Sequence, residues 1–155
     1  MIEHMNPTAD KNAAMAWSKE TDRTLVVACS DPRFRKATEW FVENELGLPR
    51  FTPLFLPGGP ATILLSSSIF FAVRPLVELL NGKFHFLRVI GVNHEDCAYY
   101  HHKYSKMHED ELHKKQLADL AEFKTEVHRL VDKEASIELY IAKHNEQHIY
   151  FEPIA

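Results

Sequence analysis

Apolar positions along the chain fall into short unbroken runs separated by amphipathic stretches, a rhythm that predicts strands alternating with helices. Thr24-Leu-Val-Val-Ala-Cys29 is apolar and β-branched, the pattern of a strand covered on both faces. Arg35 to Leu46 changes to helical spacing through Ala37, Trp40, Phe41 and Leu46, then stops at Gly47 and Pro49. Phe51 to Leu56 predicts a second strand, ended by Pro57-Gly58-Gly59-Pro60. Ile63 to Leu80 predicts a largely apolar helix, bent near Pro75 and stopped at Asn81-Gly82. Phe84 to Val92 reads as a third buried strand, with a helix beginning close to Cys97. A longer helix is expected over Glu111 to Lys133, where Leu117, Leu120, Ala121, Val127, Leu130 and Val131 recur at helical spacing. Thr8 to Lys19 predicts a short N-terminal helix, with Ala9, Ala13, Ala16 and Trp17 near one face.

The C-terminal part differs in kind. Ile137, Leu139 and Ile141 alternate with polar or amphipathic residues, and Ile149 to Phe151 resumes an apolar run after His144-Asn145-Glu146-Gln147. That pattern predicts a hairpin or two edge strands. The expected architecture is α/β: a mainly parallel central sheet of about four strands plus an antiparallel edge, flanked by helices. No internal repeat is visible, so residues 1–155 read as one domain, with 1–20 as a helical arm.

Composition and charge narrow the function classes. Lys and Arg number 18 against 22 Asp and Glu, a net charge of −4 that argues against a nucleic-acid binder. A small-molecule substrate or a protein partner fits better. Phe51 to Val73 carries no charge and is nominally long enough to span a bilayer. Pro53, Pro57, Gly58, Gly59 and Pro60 break its first half and Ser66 to Ser68 dilute the second, so a buried strand, a turn and a buried helix explain it better and no membrane partner is expected. The first residues, MIEHMNPTADKN, lack the apolar run of a secretory signal, and the chain has only two cysteines. A reducing, cytoplasmic setting is therefore expected rather than a structural disulfide.

Two short motifs occupy equivalent places. Cys29-Ser30-Asp31-Pro32-Arg33 follows the first strand, and His94-Glu95-Asp96-Cys97 follows the third. In an open parallel sheet the C-terminal ends of neighbouring strands converge on one crevice, which brings Cys29, His94 and Cys97 together. Taken singly, Cys29 reads as a buried core thiol and His94 as a loop residue; jointly they favour a metal. Two thiolates and an imidazole suit Zn2+, and three protein ligands leave the fourth tetrahedral position for water. Cys29-x5-Arg35 also has the bare spacing of cysteine-dependent phosphatases. Asp31 and Pro32 argue against that reading, because they put a carboxylate and a missing N–H donor inside a loop that should cradle phosphate.

These residues carry a resemblance to the β-class carbonic anhydrases. Cys-Ser-Asp-Pro-Arg resembles the family's Cys-x-Asp-x-Arg motif, and Val-Ile-Gly-Val-Asn-His-Glu-Asp-Cys resembles its strand ending in His-x-x-Cys. The likeness covers roughly residues 24 to 100 well and the remainder loosely. It implies Cys29, His94 and Cys97 as zinc ligands and reversible hydration of carbon dioxide by zinc-bound hydroxide. It further implies that Asp31 accepts a hydrogen bond from the zinc-bound water, or closes the fourth position, and that Arg33 pairs with Asp31 and draws it off the metal. A homodimer is implied as well, with apolar surface from the N-terminal helix and the Phe51 to Phe71 region at the interface.

The chain also departs from the pattern. Ala98 stands where the family usually has Gly after the second Cys, and Leu56-Pro-Gly-Gly-Pro-Ala61 stands where it has Arg-Asn-Ala-Gly-Asn. Gly58 and Gly59 can still aim backbone N–H groups at a substrate oxygen, or simply form a tight turn. Two other readings therefore accompany the first: a related hydrolase of carbonyl sulfide or carbon disulfide, and a non-catalytic module in which zinc is a structural clamp closed by Asp31. His101, His102, His108 and His113 lie just beyond Cys97. Proton carriage or a second metal is conceivable there, but a solvated helical face accounts for them best.

Overall fold

The computed structural model describes residues 17–155, so the helix expected over Thr8 to Lys19 lies almost wholly outside the described residues. One five-stranded sheet organises the rest, in the order β2-β1-β3-β4-β5. The strands are β1 (Thr24–Ala28), β2 (Thr52–Phe55), β3 (Arg88–His94), β4 (Ser136–His144) and β5 (Ile149–Ile154). The first four pair in parallel, and β5 returns antiparallel to β4, with Ala142 opposite Phe151. The mainly parallel sheet with its antiparallel edge is the expected one.

Four α-helices flank it: α1 (Pro32–Trp40), α2 (Phe70–Phe84), α3 (Ala98–Lys103) and α4 (Glu109–His128). Leu25, Val27 and Val89 pack with Val73 and Val77 of α2 and Leu120, Phe123 and Val127 of α4. Val26, Ala28, Ile90 and Val92 point the other way, onto Phe34, Phe41 and Val42. Both faces of β1 are thus covered, which is why its sequence is apolar at every position rather than at every second one.

Element boundaries move where turn chemistry outweighs hydrophobicity. The helix expected from Ile63 starts at Phe70 instead. Gly59–Ile63 forms a 3₁₀ turn, Leu64 is extended, and the Ser67 hydroxyl accepts the N–H of Ile69 at 3.2 Å just before the helix begins. The helix runs through Pro75 and past Asn81-Gly82 to Phe84, where His85 takes a left-handed conformation (φ 51°). Asn81 closes that end, its carbonyl accepting from His85 N–H at 2.8 Å and its Oδ1 from Phe86 N–H at 3.1 Å. Residues 84–87 are therefore helix end and turn, and β3 begins at Arg88. The helix α1 starts three residues early because Pro32 occupies its first turn and Asp31 caps it; it continues as a π turn over Phe41–Glu45. Among the described residues no helix is long and apolar enough to cross a membrane.

Candidate metal centre

The parallel register places the two motifs side by side. Ala28, the last residue of β1, pairs with Val92, and β3 extends two residues further to His94. Cys29 therefore leaves the sheet beside His94, while Cys97 sits at the N-terminal boundary of α3. One ligand atom from each of Cys29, His94 and Cys97 falls within a group no wider than 4.8 Å. Tetrahedral zinc with sulfur and nitrogen ligands requires donor separations of roughly 3.5–3.8 Å, so the scale is right.

His94 provides the sharpest test of fit. Its Nδ1 lies 2.7 Å from the Glu95 carbonyl oxygen, so Nδ1 carries the proton and Nε2 presents a lone pair. That Nε2 is buried and has no hydrogen-bond partner, an arrangement that costs stability unless a cation completes it. Phe34 stacks on the ring with centroids 4.4 Å apart, and Gln116 Nε2 donates to the His94 carbonyl oxygen at 2.7 Å, so ring and backbone are both held.

The two thiols share their electrostatics. A hydrogen bond from Cys97 pulls the Cys29 thiol down to about 4 against the burial that raises it, and the neighbouring His94 imidazole and then the backbone N–H groups of Gly58 and Asp31 add to the effect. Cys97, the donor in that bond, is pushed up by it and by burial. The two sulfurs thus compete for one proton, and a cation placed between them would take that proton's position. Cys29 is half-buried and Cys97 buried, and both are unbridged.

The Pro57-Gly-Gly-Pro60 turn serves the ligand rather than an open oxygen site. Gly59 N–H is already donated to the Leu56 carbonyl at 2.8 Å, and Gly58 N–H faces the Cys29 sulfur. A Cβ on Gly59, whose φ is +49°, would lie 2.7 Å from Ala28 C and 2.8 Å from Cys29 N. The absence of a side chain there lets the turn press directly against the first ligand.

Asp31 and Arg33 form a close ion pair. Arg33 Nη2 donates to Asp31 Oδ2 at 2.7 Å, Arg33 Nε to Oδ1 at 3.1 Å, and the Arg33 backbone N–H to Oδ1 at 2.8 Å. The guanidinium holds the Asp31 carboxyl below the ordinary range, against a smaller opposing effect of burial. Asp31 Oδ2 stands 3.8 Å from His94 Nε2, so the carboxylate borders the centre while Arg33 grips it from outside.

Several residues of this neighbourhood were not read from the sequence. Asp96, in a left-handed conformation (φ 54°), accepts from Arg33 Nη1 at 2.8 Å through Oδ2 and from Nη2 at 2.9 Å through its carbonyl oxygen. Tyr100 is buried and donates to Asp119 Oδ2 at 2.8 Å, while Lys115 donates to Oδ1 at 2.8 Å. Gln116 and Asp119 face the core from α4 between Leu112 and Leu120. Their signal was present as two polar positions within that helix's apolar stripe. A cavity of about 780 Å³ borders Arg33 and Phe34 but none of the three ligands. The four histidines beyond Cys97 do not form one cluster: His102 and His108 are exposed, and His101 turns towards Asp96 and Glu109.

Comparisons with solved structures agree with this architecture. The β-carbonic anhydrase isoform I of Trichomonas vaginalis superposes with a TM-score of 0.58 at 15% identity, over 93% of this chain and 91% of that one. The β-carbonic anhydrase of Aspergillus fumigatus gives 0.60 at 11% identity, over 94% and 85%. A carbonic anhydrase from Glaciozyma antarctica gives 0.51 at 18%, over 96% of both chains. No family model and no curated protein matches the sequence. The chain has the β-carbonic anhydrase fold, and at its strand ends it carries a Cys-His-Cys group able to hold a metal ion.

Proposed function

We propose that this chain is a zinc enzyme that reversibly hydrates carbon dioxide to bicarbonate. The observation that carries the reading is the buried, partnerless Nε2 of His94 facing two thiols, with an ionised carboxylate beside it. Cys29, His94 and Cys97 would hold the zinc, which when bound supplies an activated water near neutral pH.

The remaining chemistry belongs to the chain's own side chains. Asp31, kept ionised by Arg33, accepts a hydrogen bond from the reacting water and orients it. Arg33 holds both oxygens of Asp31, which favours an open metal position over a closed clamp. Asp96 braces Arg33 from the far side, making it a positioning residue for the pair. Phe34 covers the His94 ring and restricts water on that flank.

Assembly and setting follow from the same reading. Leu65, Ile69, Phe71, Leu76 and Leu79 are exposed along the segment entering α2 and its outer face, and Phe71 is 83% exposed. That apolar surface supports a homodimer, which light scattering coupled to size exclusion tests; a monomer at every concentration would remove it. The need for two reduced cysteines supports a cytoplasmic setting.

Stopped-flow hydration of carbon dioxide on zinc-loaded protein tests the activity. Wild type should turn over, Asp31→Asn should lose on the order of tenfold to a thousandfold, and Cys97→Ser should be inactive. Bound zinc without hydration at any pH from neutral to alkaline would contradict the assignment. Hydrolysis of carbonyl sulfide instead would keep the metal centre and change the substrate.

A further inference from the structure

We propose a second divalent-cation site, distinct from the Cys-His-Cys group, formed by Asp96 Oδ1, His101 Nε2 and Glu109 Oε1. The three ligand atoms lie within 4.8 Å of one another. His101 Nε2 is 3.1 Å from Asp96 Oδ1 and 3.3 Å from Glu109 Oε1. Zinc-type ions bind imidazole nitrogen and carboxylate oxygen at about 2.0–2.2 Å, so tetrahedral donors sit about 3.3–3.5 Å apart. The two separations from His101 Nε2 approach that spacing.

The chemistry of the trio asks for a cation. A single Nε2–H lies on one line and serves one acceptor well, yet two carboxylate oxygens converge on this nitrogen. A metal ion would satisfy all three atoms together. The surroundings agree. The trio lines a cleft of about 250 Å³ that also receives Glu95, Asp110 and Lys143, and Lys143 is already paired with Glu152 at 2.8 Å. One imidazole and two carboxylates, with open positions left for water, suit zinc or a similar first-row divalent ion.

Placement ties this site to the first one. Asp96 immediately precedes Cys97, and its other oxygen holds Arg33 Nη1 at 2.8 Å. Glu109 comes from the first turn of α4, and His101 from α3. The cation would therefore fasten the start of α4 to the loop that carries Cys97. The mixed N and O donor set predicts weaker binding than the thiolate group.

Titration of the metal-free chain with Co2+ separates the two sites by colour. Wild type should bind two equivalents: a tight one with intense thiolate-to-cobalt absorption in the near ultraviolet, and a weaker one that adds only faint visible bands. His101→Ala should lose the second equivalent and keep the first, and Glu109→Gln should weaken the second by roughly tenfold or more. Both side chains are partly or fully exposed, so neither replacement empties the core. A single equivalent in wild type, or a second one indifferent to His101→Ala, would overturn the proposal. A second equivalent lost in His101→Ala while the first lacks thiolate absorption would support this site and count only against the Cys-His-Cys group.

Discussion

Replacing Gly59 with Ala tests whether the Gly-Gly turn is built around the first ligand. Two costs add at this position. An L-residue held at φ +49° costs about 1–2 kcal/mol. The new methyl also meets Ala28 C at 2.7 Å and Cys29 N at 2.8 Å, backbone atoms that have no rotamer to change. Those contacts are about 0.6–0.7 Å inside ordinary van der Waals range, an overpacking worth about 1–3 kcal/mol. Gly47 provides the control: its φ is +70° but nothing lies within 4 Å of its added Cβ, so Gly47→Ala carries the conformational cost alone.

Both substitutions restrict the unfolded chain equally, so that contribution cancels between them. Urea unfolding with a chelator present should therefore place Gly59→Ala about 1–3 kcal/mol below Gly47→Ala. The displaced Cys29 backbone should also weaken zinc roughly tenfold or more in Gly59→Ala, while Gly47→Ala binds as wild type does. Equal stabilities within about 0.5 kcal/mol, together with equal zinc affinities, would refute the argument.

Further outcomes follow from other contacts. Arg88 holds Glu138 through both carboxylate oxygens and, against partial burial, keeps that carboxyl below its usual value of 4.5. A depressed folded pKa contributes stability above the unfolded value that is lost as pH falls through the folded one. Glu138→Gln should thus cost about 1 kcal/mol at pH 7 and progressively less as the pH falls below 4.5, and a pH-independent cost in urea unfolding would contradict this. Tyr100→Phe removes the hydroxyl donor from buried Asp119 and should cost about 1–3 kcal/mol in the same assay; wild-type stability would show that the bond contributes nothing. Arg33→Gln frees Asp31 to turn onto the metal position, so hydration should fall while zinc stays bound, and unchanged hydration would sever Arg33 from Asp31's role.

How much of this was legible beforehand depends on the kind of feature. Cys29 and His94 could be placed because each stands at the end of an apolar run, with Cys97 three residues beyond His94, and the ends of parallel strands gather at one edge. The antiparallel edge was visible in the alternation from Ile137 to Ile141. The start of α2 was not, because Ile63 and Leu64 are fully buried without being helical, and hydrophobicity alone does not separate a buried turn from a helix. The role of Asp96 is not written in the sequence for a different reason. Its bond to Arg33 spans 63 positions and depends on a left-handed backbone that an Asp rarely adopts. Gln116 and Asp119 are polar positions inside the apolar stripe of α4, and only the fold shows that they meet the end of β3 and Tyr100.

The central claim is a zinc ion held by two sulfurs and one imidazole, and X-ray absorption at the zinc edge addresses it most directly. Zinc-loaded wild type should show two sulfur neighbours at about 2.3 Å and one imidazole nitrogen at about 2.0–2.1 Å, and Cys97→Ser should lose one sulfur. A shell of oxygen and nitrogen alone, unchanged by Cys97→Ser, would contradict the account.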